Sequence, residues 1–185
     1  SVITIKYFMV SNSHQRKKSY MDIIKSPSPN FNERGGAQID MLIIHYTGMK
    51  TGEEALERMC DAAAKVSAHY MIEEDGRIFQ LVEEGKRAWH AGVSSWDGRS
   101  DINGHSIGIE LVNPGHEWGY RPFPDVQIEA LIVLIEDIKT RHDIKTEYVL
   151  GHSDVAPERK QDPGELFPWD VLAQKNLALP RPLKV

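Results

Sequence analysis

The sequence predicts an α/β fold: one domain with a central mixed β-sheet flanked by helices. Three observations predict it. Met41 to Tyr46 is a compact apolar run of the kind that fills a central strand buried on both faces. Ser106 to Val112 alternates, with Ile107, Ile109 and Leu111 on one side and Ser106, Gly108 and Glu110 on the other. Further on, Ile128, Leu131, Ile132, Ile135 and Ile138 recur at helical spacing and form one apolar stripe suited to lie across a sheet.

Taken in order, residues 1–40 read as peripheral. A short apolar run, the basic cluster Arg16-Lys17-Lys18 and the turn-forming Ser26-Pro27-Ser28-Pro29-Asn30 predict an arm lying on the domain. We divide the chain into an N-terminal arm at 1–28, a domain at 29–175 and a C-terminal tail at 176–185. After the first central strand, Thr51 and Glu54 resemble a capping box opening a helix through about Ala64. His69 to Ile72 and Arg77 to Val82 flank the turn signal Glu74-Asp75-Gly76 and predict a hairpin. Asp125 can cap the long helix, and Tyr148 to Gly151 gives a last short strand. The polar stretch from His152 to Phe167, with Pro157, Pro163 and Gly164, is an ordered loop placed to carry function.

Composition narrows the class. With 185 residues the chain fits one core. Its formal charge of −5 supplies no positive field for nucleic acid, so no nucleic-acid partner is expected. Cys60 is the only cysteine, which excludes an internal disulfide and a cysteine-built zinc site. Any metal must use His, Asp or Glu. No stretch approaches the ~20 apolar residues of a membrane span. The chain starts at Ser1, leaving room for a leader or anchor ahead of it, and both the bacterial cell envelope or periplasm and the cytoplasm stay open as compartments. Oligomeric state is not legible.

His45 ends the first predicted strand, where open α/β sheets place their ligand crevice. His152 takes the equivalent place after the last strand, and Asp162 follows a segment able to fold back upon it. Together they offer a metal two nitrogens and one oxygen with a fourth position left for water; the competing reading is a pair of hydrogen-bonded structural histidines. Glu110 is either an exposed or ion-paired strand carboxylate, or a general base whose pKa burial has raised. Lys160 is either a solvated lysine or an oxyanion stabiliser. Trp89-His90-Ala91-Gly92 and Trp96 either seal the core edge or give flat faces and a hydrogen bond to a ligand. His69 and His105 fit core or rim, and His14, His116 and His142 read as surface residues.

Those residues fall into an ordered set of motifs: Ile43-Ile44-His45-Tyr46-Thr47, Ala68-His69-Tyr70, Gly76-Arg77-Ile78, Ala88-Trp89-His90-Ala91-Gly92, Asn103, Ser106-Ile107-Gly108-Ile109-Glu110, and Gly151-His152-Ser153-Asp154-Val155-Ala156-Pro157 leading to Lys160 and Asp162-Pro163-Gly164. From about Pro29 to Ala173 the sequence resembles the type 2 N-acetylmuramoyl-L-alanine amidases, zinc amidases related to peptidoglycan recognition proteins and T7-type lysozyme. The resemblance implies one zinc ion per chain held by His45, His152 and Asp162, Glu110 as catalytic carboxylate and Lys160 beside the metal. It also implies substrate contacts from Trp89, His90, Ala91, Asn103 and His69, and a peptidoglycan or muropeptide substrate. Relatives without activity lack part of the zinc set, and this chain keeps all of it. Asp162, where some relatives use cysteine, resembles the bacterial muropeptide-trimming branch. The alternative is a non-catalytic peptidoglycan-binding module.

Overall fold

The computed structural model describes residues 21–181 together with the backbone of a strand at Val2–Ile5. In chain order the elements are β1 (Val2–Ile5), β2 (Met21–Lys25), β3 (Phe31–Glu33), β4 (Met41–Tyr46), α1 (Gly52–Cys60), β5 (Tyr70–Ile72), β6 (Ile78–Gln80), β7 (Lys86–Ala88), α2 (Ile102–His105), β8 (Ser106–Leu111), α3 (Gly115–Trp118), α4 (Asp125–Arg141), a 3-10 turn at Thr146–Tyr148, β9 (Val149–Gly151), α5 (His152–Val155) and α6 (Trp169–Gln174). Seven strands form one sheet in the order β1-β2-β6-β5-β8-β4-β9, and β3 pairs with β7 apart from it. The sheet is mixed: β2/β6, β5/β8, β8/β4 and β4/β9 run parallel, while β1/β2 and the β5/β6 hairpin are antiparallel.

Register decides what each face carries. Because Leu42 pairs with Ile107, Ile44 with Ile109 and Tyr46 with Leu111, these six side chains share one face. The buried stripe of α4, Ile128, Leu131, Ile132, Ile135 and Ile138, covers it. Deleting one such side chain, as in Leu131→Ala, costs about 2–5 kcal/mol. Gln127 fixes the helix lengthwise, donating from Nε2 to the carbonyls of Ile72 and Val112, both at 3.0 Å. The opposite face carries Met41, Ile43 and His45 beside Ser106, Gly108 and Glu110. α1 and the segment after β7 pack there.

Several boundaries differ from the sequence reading. Met21–Lys25, assigned to the arm, is a strand of the main sheet, with Met21 and Ile23 buried in the core. Arg34 is also embedded: its guanidinium donates to the carbonyls of Glu84, Asn103, Gly104 and Ser106 at 2.7–3.1 Å. The basic cluster Arg16-Lys17-Lys18 lies outside the described residues. At the other end, Leu177 and Ala178 of the assigned tail are core residues. Arg181 pairs with Asp154 and lies over the Trp169 ring. α1 opens as expected, with Thr51 Oγ1 accepting from the Glu54 N–H at 3.1 Å. It stops at Cys60 rather than Ala64, because Asp61 turns extended and its Oδ1 takes the Ala63 N–H at 2.9 Å. Asp125 does not cap α4. Pro124 holds that position with extended backbone, its carbonyl accepts from Gln127 and Ile128, and Asp125 sits in the first turn.

Candidate metal centre

His45 lies at the carboxyl end of β4, directly across from Glu110 of β8, so both side chains leave the sheet on one face. β9 runs parallel along the other side of β4, with Gly151 beside Ile44, and His152 is the next residue. Asp162 is brought back by its own backbone. Its carbonyl accepts from the Ser153 N–H at 2.9 Å, and the carbonyl of Pro163 accepts from Tyr120 Oη at 2.7 Å.

The three side chains meet as a triangle. His45 Nδ1 is 2.9 Å from His152 Nδ1 and 2.9 Å from Asp162 Oδ2, and the third edge is 3.0 Å. All three residues are buried. No placement of protons satisfies every edge: two N–H groups aimed at Oδ2 oppose each other, and fewer leave lone pairs facing. One cation answers all three. Donors on a tetrahedral ion with bonds of about 2.0–2.1 Å stand roughly 3.3 Å apart, close to the observed edges. The set fits a divalent metal ion bound by three protein groups. Burial, then the neighbouring His152, holds His45 down to about 4, so its ring is neutral at pH 7. Burial opposes the charge on Asp162, but the neighbouring His152 and His45 rings outweigh it and hold the carboxyl well below the usual range.

Glu110 stands beside this triangle with Oε2 buried and no hydrogen-bond partner. Burial pushes its carboxyl well above the ordinary value, the Asp162 charge adds to the rise, and Lys160 opposes it. Lys160 is half-buried, close enough that its charge acts on both His45 and Glu110. The structure therefore gathers His45, His152, Asp162, Glu110 and Lys160 in one place.

The residues expected to touch substrate divide differently. Trp89 is partly exposed, its Nε1 donating to Asn32 Oδ1 at 2.9 Å. The other four are buried behind the triangle. Asn103 Oδ1 accepts the backbone N–H groups of His90 and Ala91 at 3.1 and 2.8 Å. The His90 ring faces His45, and the Ala91 carbonyl faces His152. His69 has no exposed surface, and its Nδ1 accepts from the Gly108 N–H at 3.0 Å while Nε2 faces the Lys86 carbonyl at 3.0 Å. Burial, reinforced by Arg34, holds it near 3, neutral and structural. Protein groups occupy both ring nitrogens of His69, Oδ1 of Asn103 and the backbone N–H and carbonyl of Ala91.

Sequence reasoning missed Ser106, Arg159 and the Tyr46-His116-Glu165 chain. Ser106 was given no role, although it opened the β8 motif and stood opposite that strand's apolar row. Arg159 braces the segment after β7, donating to the Ala91 and Val93 carbonyls at 2.8 and 2.7 Å. His116, read as a surface residue, is exposed but bridges Tyr46 Oη and Glu165 Oε2, each at 2.9 Å.

An α/β domain that collects two imidazoles and a carboxylate at its strand ends, with a spare carboxylate alongside, is built as a metal-binding domain. Residues 35–165 match the protein family described as N-acetylmuramoyl-L-alanine amidase. The chain is 43% identical over 152 residues to the N-acetylmuramoyl-L-alanine amidase AmiD of Escherichia coli (strain K12), covering 76% of this chain and 54% of that protein. It is 36% identical over 162 residues to the 1,6-anhydro-N-acetylmuramyl-L-alanine amidase AmpD of Haemophilus influenzae, covering 77% and 86%. A solved complex of E. coli AmiD with the substrate anhydro-N-acetylmuramic acid-L-Ala-D-γ-Glu-L-Lys superposes with a TM-score of 0.70 at 36% identity, over 95% of this chain and 66% of that one. The chain belongs to the N-acetylmuramoyl-L-alanine amidase family. It spans about half the length of AmiD. No helix among the described residues is long and apolar enough to cross a membrane.

Proposed function

We propose that this chain is a zinc-dependent amidase that hydrolyses the amide bond between N-acetylmuramic acid and L-alanine in peptidoglycan or muropeptides. The observation that carries the reading is the Nδ1, Nδ1, Oδ2 triangle with the unpartnered Oε2 of Glu110 beside it. His45, His152 and Asp162 would hold one zinc ion, a donor set that catalytic zinc sites use with a fourth position left open. When bound, the ion supplies Lewis acidity, lowering the pKa of bound water from 15.7 toward about 7 and polarising the scissile carbonyl.

The remaining steps belong to the chain. Glu110, poorly solvated, is a stronger base than an exposed carboxylate once ionised, and a nearby cation favours that ionised form. It takes a proton from the attacking water and delivers it to the departing alanine nitrogen. Lys160 sets a positive charge against the negative charge that develops on the carbonyl oxygen. Trp89 offers a flat apolar face to a sugar ring or stem peptide. The substrate class is supported by the muropeptide bound in the AmiD complex and by the activity in the names of the relatives.

Mass spectrometry of products from defined muropeptides tests the reading. Cleavage is expected to leave the lactyl group on the sugar, free the alanine amine, stop with a chelator and return with zinc. Binding without cleavage, or cuts only within the stem peptide, would sink it. Lys160→Ala should lower turnover more than substrate affinity; a loss confined to affinity would make Lys160 a substrate contact.

A further inference from the structure

The outer nitrogens of both histidine ligands are met by one short segment, and the proton positions there follow from its far end. Ser106 Oγ is 2.6 Å from the carbonyl oxygen of Ile102, which can only accept, so the hydroxyl proton is committed to that bond. The same Oγ lies 3.2 Å from His90 Nε2 and must accept from it, which puts the His90 proton on Nε2. A neutral imidazole carries one such proton, so His90 Nδ1 is a bare acceptor, and it faces His45 Nε2 at 3.0 Å. His45 then donates from Nε2, and its lone pair is on Nδ1, the atom in the triangle. His152 reaches the same state by a shorter route: its Nε2 is 3.0 Å from the Ala91 carbonyl, which also only accepts.

We propose that His90, backed by Ser106, is a positioning residue that holds His45 in the tautomer whose Nδ1 binds the metal, while the adjoining Ala91 carbonyl does the same for His152. The sequence reading gave His90 to the substrate, whereas its ring nitrogens serve the protein on both sides. The surroundings are shaped for this. A Cβ at Gly108 would fall 2.4 Å from His90 Cγ, so only glycine there admits the ring against β8. Asn103 pins both halves through one oxygen. Ser106 is fully buried and His90 nearly so, so water does not readily replace a lost partner. Outer hydrogen bonds of this kind fix ligand orientation and typically carry a 10- to 100-fold effect on metal affinity.

The inference rests on the metal reading of the site, and competition for zinc against a chromophoric chelator separates the two. Wild-type chain that binds no zinc overturns the metal reading and the relay with it. Given wild-type binding, His90→Phe is expected to weaken zinc affinity about 10- to 100-fold. Ser106→Ala should weaken it by less, and Ser106→Thr, which keeps the hydroxyl, should recover it. A folded His90→Phe protein with unchanged zinc affinity overturns the relay. Melting of the metal-free proteins shows whether each variant folds. If the variants do not fold, long-range proton–nitrogen NMR of the zinc-loaded wild type reads the His90 proton directly. A proton on Nε2 is expected, and one on Nδ1 overturns the assignment.

Discussion

Glu84, in the turn between β6 and β7, and Glu110, on β8, are both half-buried carboxylates, and their surroundings drive them in opposite directions. Glu84 closes a cluster on the α4 side. Tyr70 Oη and Arg141 Nη2 donate to Oε1 at 2.7 and 2.8 Å, and His142 Nε2 meets Oε2 at 2.7 Å. Burial alone would raise its pKa, but Arg141, Tyr70 and His142 bring it down to about 2. Glu110 is also desolvated, but its Oε2 is left unanswered, and its pKa stays well above the ordinary value. One glutamate is finished as structure. The other keeps a lone pair for something the chain does not itself supply, and in a domain of this family that is the better candidate for proton transfer.

The sharpest way to break this contrast is to exchange the roles by mutation. Glu110→Gln should cut amidase turnover about 10²- to 10⁴-fold while zinc content and melting temperature hold; full turnover would remove Glu110 from the chemistry. Glu84→Ala should do the reverse. It removes the anion that Arg141 and His142 share, while Arg141 keeps Asp137, and should cost about 1–3 kcal/mol in denaturant unfolding, with zinc affinity retained. The two should also separate with pH. Because the folded pKa of Glu84 is depressed to about 2 from an ordinary 4.5, its contribution is present above about pH 4.5 and is lost as pH falls toward 2. Wild type should lose roughly 2 kcal/mol more than Glu84→Gln over that window, after allowance for solvent screening. Equal acid sensitivity of the two proteins would deny Glu84 its structural role. The smallest effect belongs far from both clusters: Thr51→Ala removes the cap of α1 and should cost about 1 kcal/mol with no change in turnover.

What the sequence revealed follows the range of the interactions involved. The strands at Met41–Tyr46 and Ser106–Leu111 and the stripe of α4 are written in local period, so they were legible. The metal triangle was legible as three residue types at strand ends and in a turn-rich loop, sharpened by the family motifs. Met21–Lys25 was not, because its neighbours are proline, serine and lysine and its parallel partner Ile78–Gln80 lies far along the chain. Glu84 carried no signal in the sequence, since the partners that define it come from Tyr70 and the end of α4. His90 was singled out as a substrate contact, not for the positioning role proposed above. Its direction of donation is set by the Ile102 carbonyl, a backbone atom that no side-chain pattern announces.

Diffraction from crystals of the zinc-loaded chain, recorded on both sides of the zinc absorption edge, bears most directly on the claim that His45, His152 and Asp162 share one ion. The account predicts a single anomalous peak bonded to His45 Nδ1, His152 Nδ1 and an Asp162 carboxylate oxygen at about 2.0–2.2 Å. A zinc-loaded crystal with no peak there, or with the ion bound elsewhere and the triangle closed by protons alone, would contradict it.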